Sequence, residues 1–474
     1  MSTPPPALAL DAPRDEVLAF AAELIGSAWR SFDHPRPDQP PIGGRVHDLL
    51  ELGLPELPSP VKQVLADAAA LLDESIAQPR PRYFAFVGSS GLEIGVIGDA
   101  LASCFDVNLA AWAAAATQAE EQAVRWVGAF LGYPAEAGSF TSGGTISNLT
   151  ALAAARERAL PGSRADGIGG RRLAIYCSQE AHYSVLRAAE LLGVGSRAVR
   201  ALGCDADRRV RPDLVAAAIE RDLADGVVPV AVVATAGTTL TGAVDPIAQL
   251  ADVCERLGVW LHVDGAYGLP AAATELARPR FAGLERADSL ALDAHKWLYL
   301  PKACGVVLVR RRDSLTRAFA HHEAYMPHER GPENAVDITL EYSRPFRALK
   351  LWLAFRAHGA EAFRVAIERN LRQAQALQAA VEQHPELDPA LASPQLSTVP
   401  FRHAPPGGGV DLNAHNAQLA AAMQSDGRVW VAPATIDGDV YLRPCFVNFR
   451  TTDADVEALV EVAIELGRAL LSSP

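Results

Sequence analysis

Apolar and polar positions fall into three regimes along the chain. Over residues 15–29, Val17, Leu18, Ala21, Leu24, Ile25 and Ala28 recur at helical spacing, and Val61, Val64, Leu65, Ala68, Leu71 and Leu72 do so over 60–76. Both stretches predict amphipathic helices. The segment between them, FDHPRPDQPPIGG, is dense in Pro and Gly and predicts a loop. Residues 1–80 hold no convincing strand pattern, so a helical N-terminal arm is expected, packed on the main domain or on a second subunit. From residue 81, Ala-rich helical stretches near 91–104, 117–131, 145–160 and 182–193 alternate with short apolar runs. The runs are LAIYCS (173–178), AVVATA (231–236), VWLHVD (259–264), SLALD (289–293) and CGVVLVR (304–310). They are apolar without strict alternation, the mark of strands covered on both faces. Such alternation predicts an α/β domain over 81–365 built on a mainly parallel, doubly wound sheet. In these sheets ligands collect at the carboxyl ends of the strands. The third regime predicts a long helix over 346–383 bent near Gly359, a strand over 397–402 and a helix over 412–424. A hairpin turning at Asp437 and Gly438 and a last helix capped by Thr452 complete a smaller α+β domain over 366–474. One polar stretch, AHHEAYMPHERGPENA (320–335), breaks the rhythm and predicts a mobile lid loop.

Composition narrows the function classes. The 474 residues are 49% apolar and 21% charged, which allows a large core and excludes global disorder. With 43 Lys and Arg against 56 Asp and Glu, the net charge of −13 argues against nucleic-acid or membrane partners. A local basic pocket for a small anion stays compatible with that balance. No apolar run approaches the ~20 residues of a membrane span. The start, MSTPPPALALDAPRDE, lacks the basic and apolar regions of a secretory signal, so a cytoplasmic location is expected. The six cysteines are scattered without a CxxC, which predicts neither a disulfide framework nor a metal site.

Five segments carry candidate chemistry. In SLALDAHKWL a core strand ends at Asp293 and is followed by His295 and Lys296. A lysine in a desolvated site suits attack on a carbonyl and Schiff-base formation, whereas a snorkelling lysine at a strand end is the plain alternative. In VWLHVDGAYG, Asp264 closes an apolar strand and calls for a cationic partner, a pyridinium nitrogen or an ordinary Arg; small Ala266 leaves room for a flat ring. In SFTSGGTISNLT, Gly143, Gly144 and Thr145 lead into a helix, a phosphate seat or a simple capping turn. His182 opens a helix after IYCS, and ATAGTTLTGAVDP carries Thr239 in a Gly/Thr turn. Asp264 precedes Lys296 by 32 residues. Together the five suit pyridoxal 5′-phosphate, with Lys for the aldehyde carbon, Asp for the ring nitrogen and a helix start for the phosphate.

These segments, with RPFRALKLWLAFRAHG, resemble the group II pyridoxal-phosphate-dependent amino-acid decarboxylases, clearly over residues 60–370 and more loosely beyond. The resemblance implies a fold-type-I homodimer with active sites at the subunit interface. It implies decarboxylation of an L-amino acid to its amine through an aldimine at Lys296 and a quinonoid. By match of motif, Asp264 is the pyridine partner and His182 the imidazole stacked on the ring. Gly144, Thr145 and His295 fall at phosphate-side positions, and Thr239 and Ala266 line the cofactor. Asp293 stands where some members have an Asn bonding the phosphate, and an ionised acid does not make that bond. Tyr325 matches the loop tyrosine that reprotonates the substrate carbon. The segment holding Phe86, Val87 and Ser89, and the segment holding Asn108 and Ala110, match the substrate pocket. Their modest size favours a smaller or more polar substrate, such as an acidic amino acid; Arg82, Arg344 and Arg347 are candidate carboxylate partners, equally explained as ordinary salt-bridge partners. An aldehyde synthase or aminotransferase on the same cofactor, and a non-catalytic binding homologue, are the alternatives; retained Tyr325, His182 and Lys296 count against them.

Overall fold

The computed structural model describes residues 9–36, 38, 41–321, 334–407 and 409–472. A seven-stranded sheet is made of β1 (Ala137–Thr141), β2 (Leu173–Ser178), β3 (Val199–Leu202), β4 (Val228–Thr235), β5 (Trp260–Asp264), β6 (Ser289–Asp293) and β7 (Gly305–Val309). Their order is β1-β7-β6-β5-β4-β2-β3. The pairs from β6 through to β3 are parallel, and β7 alone runs antiparallel to both its neighbours. The link from β6 to β7 spans only residues 294–304. A parallel crossover needs a dozen or more residues, so the chain turns straight back.

All five predicted runs are strands, and β1 and β3 are additions. AGSFT is wholly buried yet reads as the start of the glycine turn, and VRAL is a short, half-buried edge strand. Side chains alternate between two cores. Val232, Ala234, Leu261 and Val263 point to one, covered by the helices Ala115–Leu131 and Ile247–Leu257. Ile175, Ala231 and Val233 point to the other, covered by the helix Gly144–Ala159. This double cover explains why the strands show no polar face.

The helix Ala348–Gln383 bends where the sequence predicts, with Gly359 at φ 74°, a conformation a side chain would strain. Leu351 before the bend and Phe363, Ile367 and Leu371 after it pack on the large core, and Leu377 and Val381 near the end pack on a separate one. That second core underlies the antiparallel strands β8 (Leu387–Pro389), β9 (Phe401–His403), β10 (Pro433–Ile436) and β11 (Asp439–Leu442). Only the end of the strand predicted over 397–402 joins this ladder. Ser397 instead meets the Tyr267 hydroxyl of the large domain at 2.5 Å, and Thr398 bridges to Cys445. At the last helix, Asp453–Ser472, the Thr452 hydroxyl and amide both donate to Asp455, at 2.7 and 2.9 Å.

The arm forms the helices Arg14–Phe32 and Val61–Asp73, with a short unpredicted helix, Gly44–Leu50, between them. Ion pairs Lys62–Glu16 (2.9 Å) and Arg36–Asp73 (2.7 Å) tie it together. Neither long helix buries a single residue, and Leu54 and Leu57 nearby are 85% and 81% exposed. Among the described residues no helix is long and apolar enough to cross a membrane.

Candidate active site

Five strand ends converge on one cavity of about 410 Å³. β1 ends at Thr141, and the turn through Gly143 starts the 16-residue helix Gly144–Ala159. A Cβ on Gly144 would lie 2.8 Å from the Ala266 Cβ and 3.0 Å from Asp293 Oδ2. Only glycine lets the helix start sit this close to the ends of β5 and β6. The cavity is lined by Gly143, Gly144 and Thr145 from this turn, His182 after β2, Thr239 after β4, Asp264 and Ala266 after β5, and Asp293, His295 and Lys296 after β6. The structure thus brings together every cofactor-side residue singled out from the sequence.

Lys296 Nζ lies 3.0 Å from Asp293 Oδ2, and His295 Nε2 lies 3.8 Å from the same oxygen. Asp293 is therefore the counter-ion of the lysine, the partner its motif left open. Its second oxygen, Oδ1, is buried without a hydrogen bond, as is Thr235 Oγ1 on the cavity wall. Burial pushes the His295 pKa down, with Asp293 opposing the shift. Asp264 accepts from the Ala266 amide at 3.1 Å and from the Asn148 side chain at 2.9 Å. His182 Nδ1 lies 2.8 Å from Ser184 Oγ, and burial lowers its pKa against the pull of Asp264. Tyr267, stacked on Trp297 at 5.2 Å, also lines the cavity.

The substrate-side expectations fare differently. Val87 lines the cavity. Phe86 does not; it is 57% exposed. Ser89 is buried and spends its hydroxyl on the Leu300 carbonyl at 2.8 Å. Asn108 caps the Ala110 and Arg344 amides and meets Ser343 Oγ. Both polar side chains serve the loops that carry them. The three arginines take the plainer of their two readings, as ordinary salt-bridge partners rather than free carboxylate receptors. Arg344 forms a buried bidentate pair with Glu120 (2.9 and 2.6 Å), Arg347 a half-buried bidentate pair with Glu341, and Arg82 pairs with Asp455. None lines the cavity. Tyr325 falls in 322–333, outside the described residues.

Asn148 and Ser184 also line the cavity, and buried His262 backs Asn148; the sequence patterns do not single these three out. Local signals for two of them exist. His262 precedes Asp264 by two residues and so shares its face of β5, and Asn148 follows Gly144 by one helical turn.

The pyridoxal-dependent decarboxylase conserved domain matches residues 44–404. This chain belongs to the pyridoxal-dependent decarboxylase family. An aromatic-L-amino-acid decarboxylase of Bacillus atrophaeus is 35% identical over 385 residues, 79% of each chain. An L-2,4-diaminobutyrate decarboxylase of Rhizobium meliloti (strain 1021) is 32% identical over 98% of this chain and 91% of its own. The crystal structure of Oryza sativa TDC with PLP and tryptamine superposes with a TM-score of 0.88 at 25% identity, covering 98% of this chain and 99% of the other. The family makes this protein a carboxy-lyase dependent on pyridoxal phosphate. The decarboxylase site suits that cofactor: a glycine cradle at a helix start for a phosphate, a carboxylate for a ring nitrogen and an amine beside them.

Proposed function

We propose that this decarboxylase removes the carboxyl group of an L-amino acid, releasing carbon dioxide and the amine, with Lys296 as the covalent anchor of the cofactor. The single observation that carries the reading is the placing of Lys296, Asp264 and the Gly143–Gly144 turn around one cavity. Pyridoxal phosphate, when bound, supplies an electron sink for the pair left behind as the carboxylate departs. The protein's own groups do the rest. The helix start, with Thr145 and His295, holds the phosphate. Asp264 keeps a proton on the ring nitrogen, because a nearby carboxylate raises the pKa of a cation. His182, kept neutral because burial lowers its pKa, would cover the cofactor ring and exclude water, as the family resemblance implies. Asp293 receives the Lys296 amine as an ammonium whenever the lysine is free. The Tyr325 hydroxyl delivers the proton to the substrate carbon, as the family resemblance implies.

The active unit is a homodimer with its pockets at the interface. Supporting this, Leu18, Ile25, Leu54, Leu57 and Leu72 of the arm are exposed, as are Phe86 and Phe105. Large exposed apolar side chains concentrated in one arm mark an association surface.

The test has two arms. Borohydride reduction of the holoenzyme followed by peptide mapping is expected to label Lys296, and label on Lys302 or Lys350 instead overturns the assignment. A panel of L-amino acids assayed for carbon dioxide and amine identifies the substrate. On that substrate Tyr325→Phe is expected to shift product from amine toward aldehyde, ammonia and peroxide, since the carbon waits unprotonated for oxygen. Amine alone at the parent rate overturns the role of Tyr325.

A further inference from the structure

We propose that Asn148 is a positioning residue that fixes two groups of the pocket at once, the Asp264 carboxylate and the ring tautomer of His182. The proposal rests on the reading of Asp264 and His182 given above. Asn148 is 1% exposed, and one turn of helix separates it from the glycine cradle. Its Nδ2 lies 2.9 Å from Asp264 Oδ2 and 2.9 Å from Ser184 Oγ, and its Oδ1 lies 2.9 Å from His262 Nε2.

The proton positions follow in order. A carboxylate only accepts, so the Asn148 atom facing Asp264 is the amide nitrogen and the oxygen faces His262. An amide oxygen also only accepts, so His262 carries its proton on Nε2. His262 is fully buried, and burial drives its pKa down to about 4, so the ring is neutral. Its bare Nδ1 then takes the Ser289 hydroxyl proton across 2.8 Å, and the Trp260 indole N–H, a donor only, fills the Ser289 oxygen at 2.8 Å. On the other branch the second N–H of Asn148 enters Ser184 Oγ. This turns the hydroxyl proton toward His182 Nδ1 at 2.8 Å, and the Ser184 backbone N–H points at the same atom from 3.2 Å. Two donors face Nδ1, so His182 carries its proton on Nε2. Every hydrogen from Trp260 to His182 has one consistent place, and a fully satisfied buried network holds its members rigidly. A carboxamide suits the junction, because it offers two donors and an acceptor in a plane. The charged groups bearing on His182 are Asp264, Asp293 and Lys296.

Asn148→Asp and Asn148→Ala separate this role from space-filling. The Asp variant keeps the volume but replaces both donors with an acceptor. Two carboxylates then share a site and a proton, and the Ser184 hydroxyl swings from His182 to the new acceptor. The Ala variant removes the hydrogen bonds and leaves Asp264 its charge. Turnover is expected to fall about 10-fold for Asn148→Ala, with KM nearly unchanged, and about 100-fold or more for Asn148→Asp. A space-filling role gives the reverse order, because the isosteric variant preserves packing, and that order overturns the proposal. Histidine ring 15N spectra of the full chain supply a readout separate from turnover. The parent should show His182 protonated at Nε2 and a midpoint below 6.5, and Asn148→Asp should raise the midpoint by about a unit or more. Ser184→Ala, which cuts only the His182 branch, should disturb the His182 tautomer and leave the His262 spectrum alone. Unchanged His182 spectra in both variants overturn the proposal even if Lys296 is labelled. Loss of the Lys296 label with those shifts intact overturns the proposed function and leaves the network standing.

Discussion

The N-terminal arm carries an apolar stripe, the strands of the large sheet are apolar almost throughout, and the two reach opposite states. Strands β1, β2, β5, β6 and β7 bury every residue. The arm helices Arg14–Phe32 and Val61–Asp73 bury none. An apolar stripe states that a face needs cover; it does not state what provides it. The strands find cover within the chain, one helix layer on each face, and their ends become rigid enough to aim Asp264 and Lys296 at one cavity. The arm helices cover one another only in part, and in the proposed dimer a second copy supplies the rest.

The largest expected effect sharpens the sheet side of this contrast. Asp264→Asn removes a charge from a site already built, so turnover should fall about 100- to 1000-fold while the thermal midpoint holds. Turnover near the parent value would show that the sheet edge does not work through this carboxylate. The arm should behave in the opposite way. Leu54→Ser with Leu57→Ser touches no catalytic group, but burying one leucine is worth roughly 1.5–3 kcal/mol. Light scattering should show the pair shifting the protein toward monomer, with activity lost in proportion and regained at higher protein concentration. A parent enzyme that is a fully active monomer would break the comparison. The smallest effect lies away from both regions, at the start of the last helix. Thr452→Ala deletes the hydroxyl that donates to Asp455 and should cost about 1 kcal/mol in urea unfolding without touching turnover. A change in turnover would mean that this domain reports to the pocket.

Much of the site is legible in sequence because its chemistry sits where it is conspicuous. Lys296 and Asp264 each follow an apolar run, and Gly143 and Gly144 open a helix. Residues that act through others are harder to see. Asn148 reads as one polar residue among several in TISNLT, and Ser289 as the first residue of a strand. Nothing local announces that they meet. The arginines are ambiguous for the same reason: Arg344 reads as a substrate partner or as half of an ion pair until Glu120, more than 200 residues earlier, closes on it in a buried pair.

Sequence by itself determined the alternation of helix and strand, the bend at Gly359, the strand-end placing of Lys296 and Asp264, and the family, because periodicity and short motifs are properties of neighbouring residues. Only the tertiary structure decided which donor meets which acceptor. β5 lies between β4 and β6 in a register that sets His262 beside Ser289. The helix Gly144–Ala159 crosses that face and drops Asn148 between His262 and Asp264. Hydrogen bonds act over about 3 Å, and groups far apart in the chain come that close only through strand order and register.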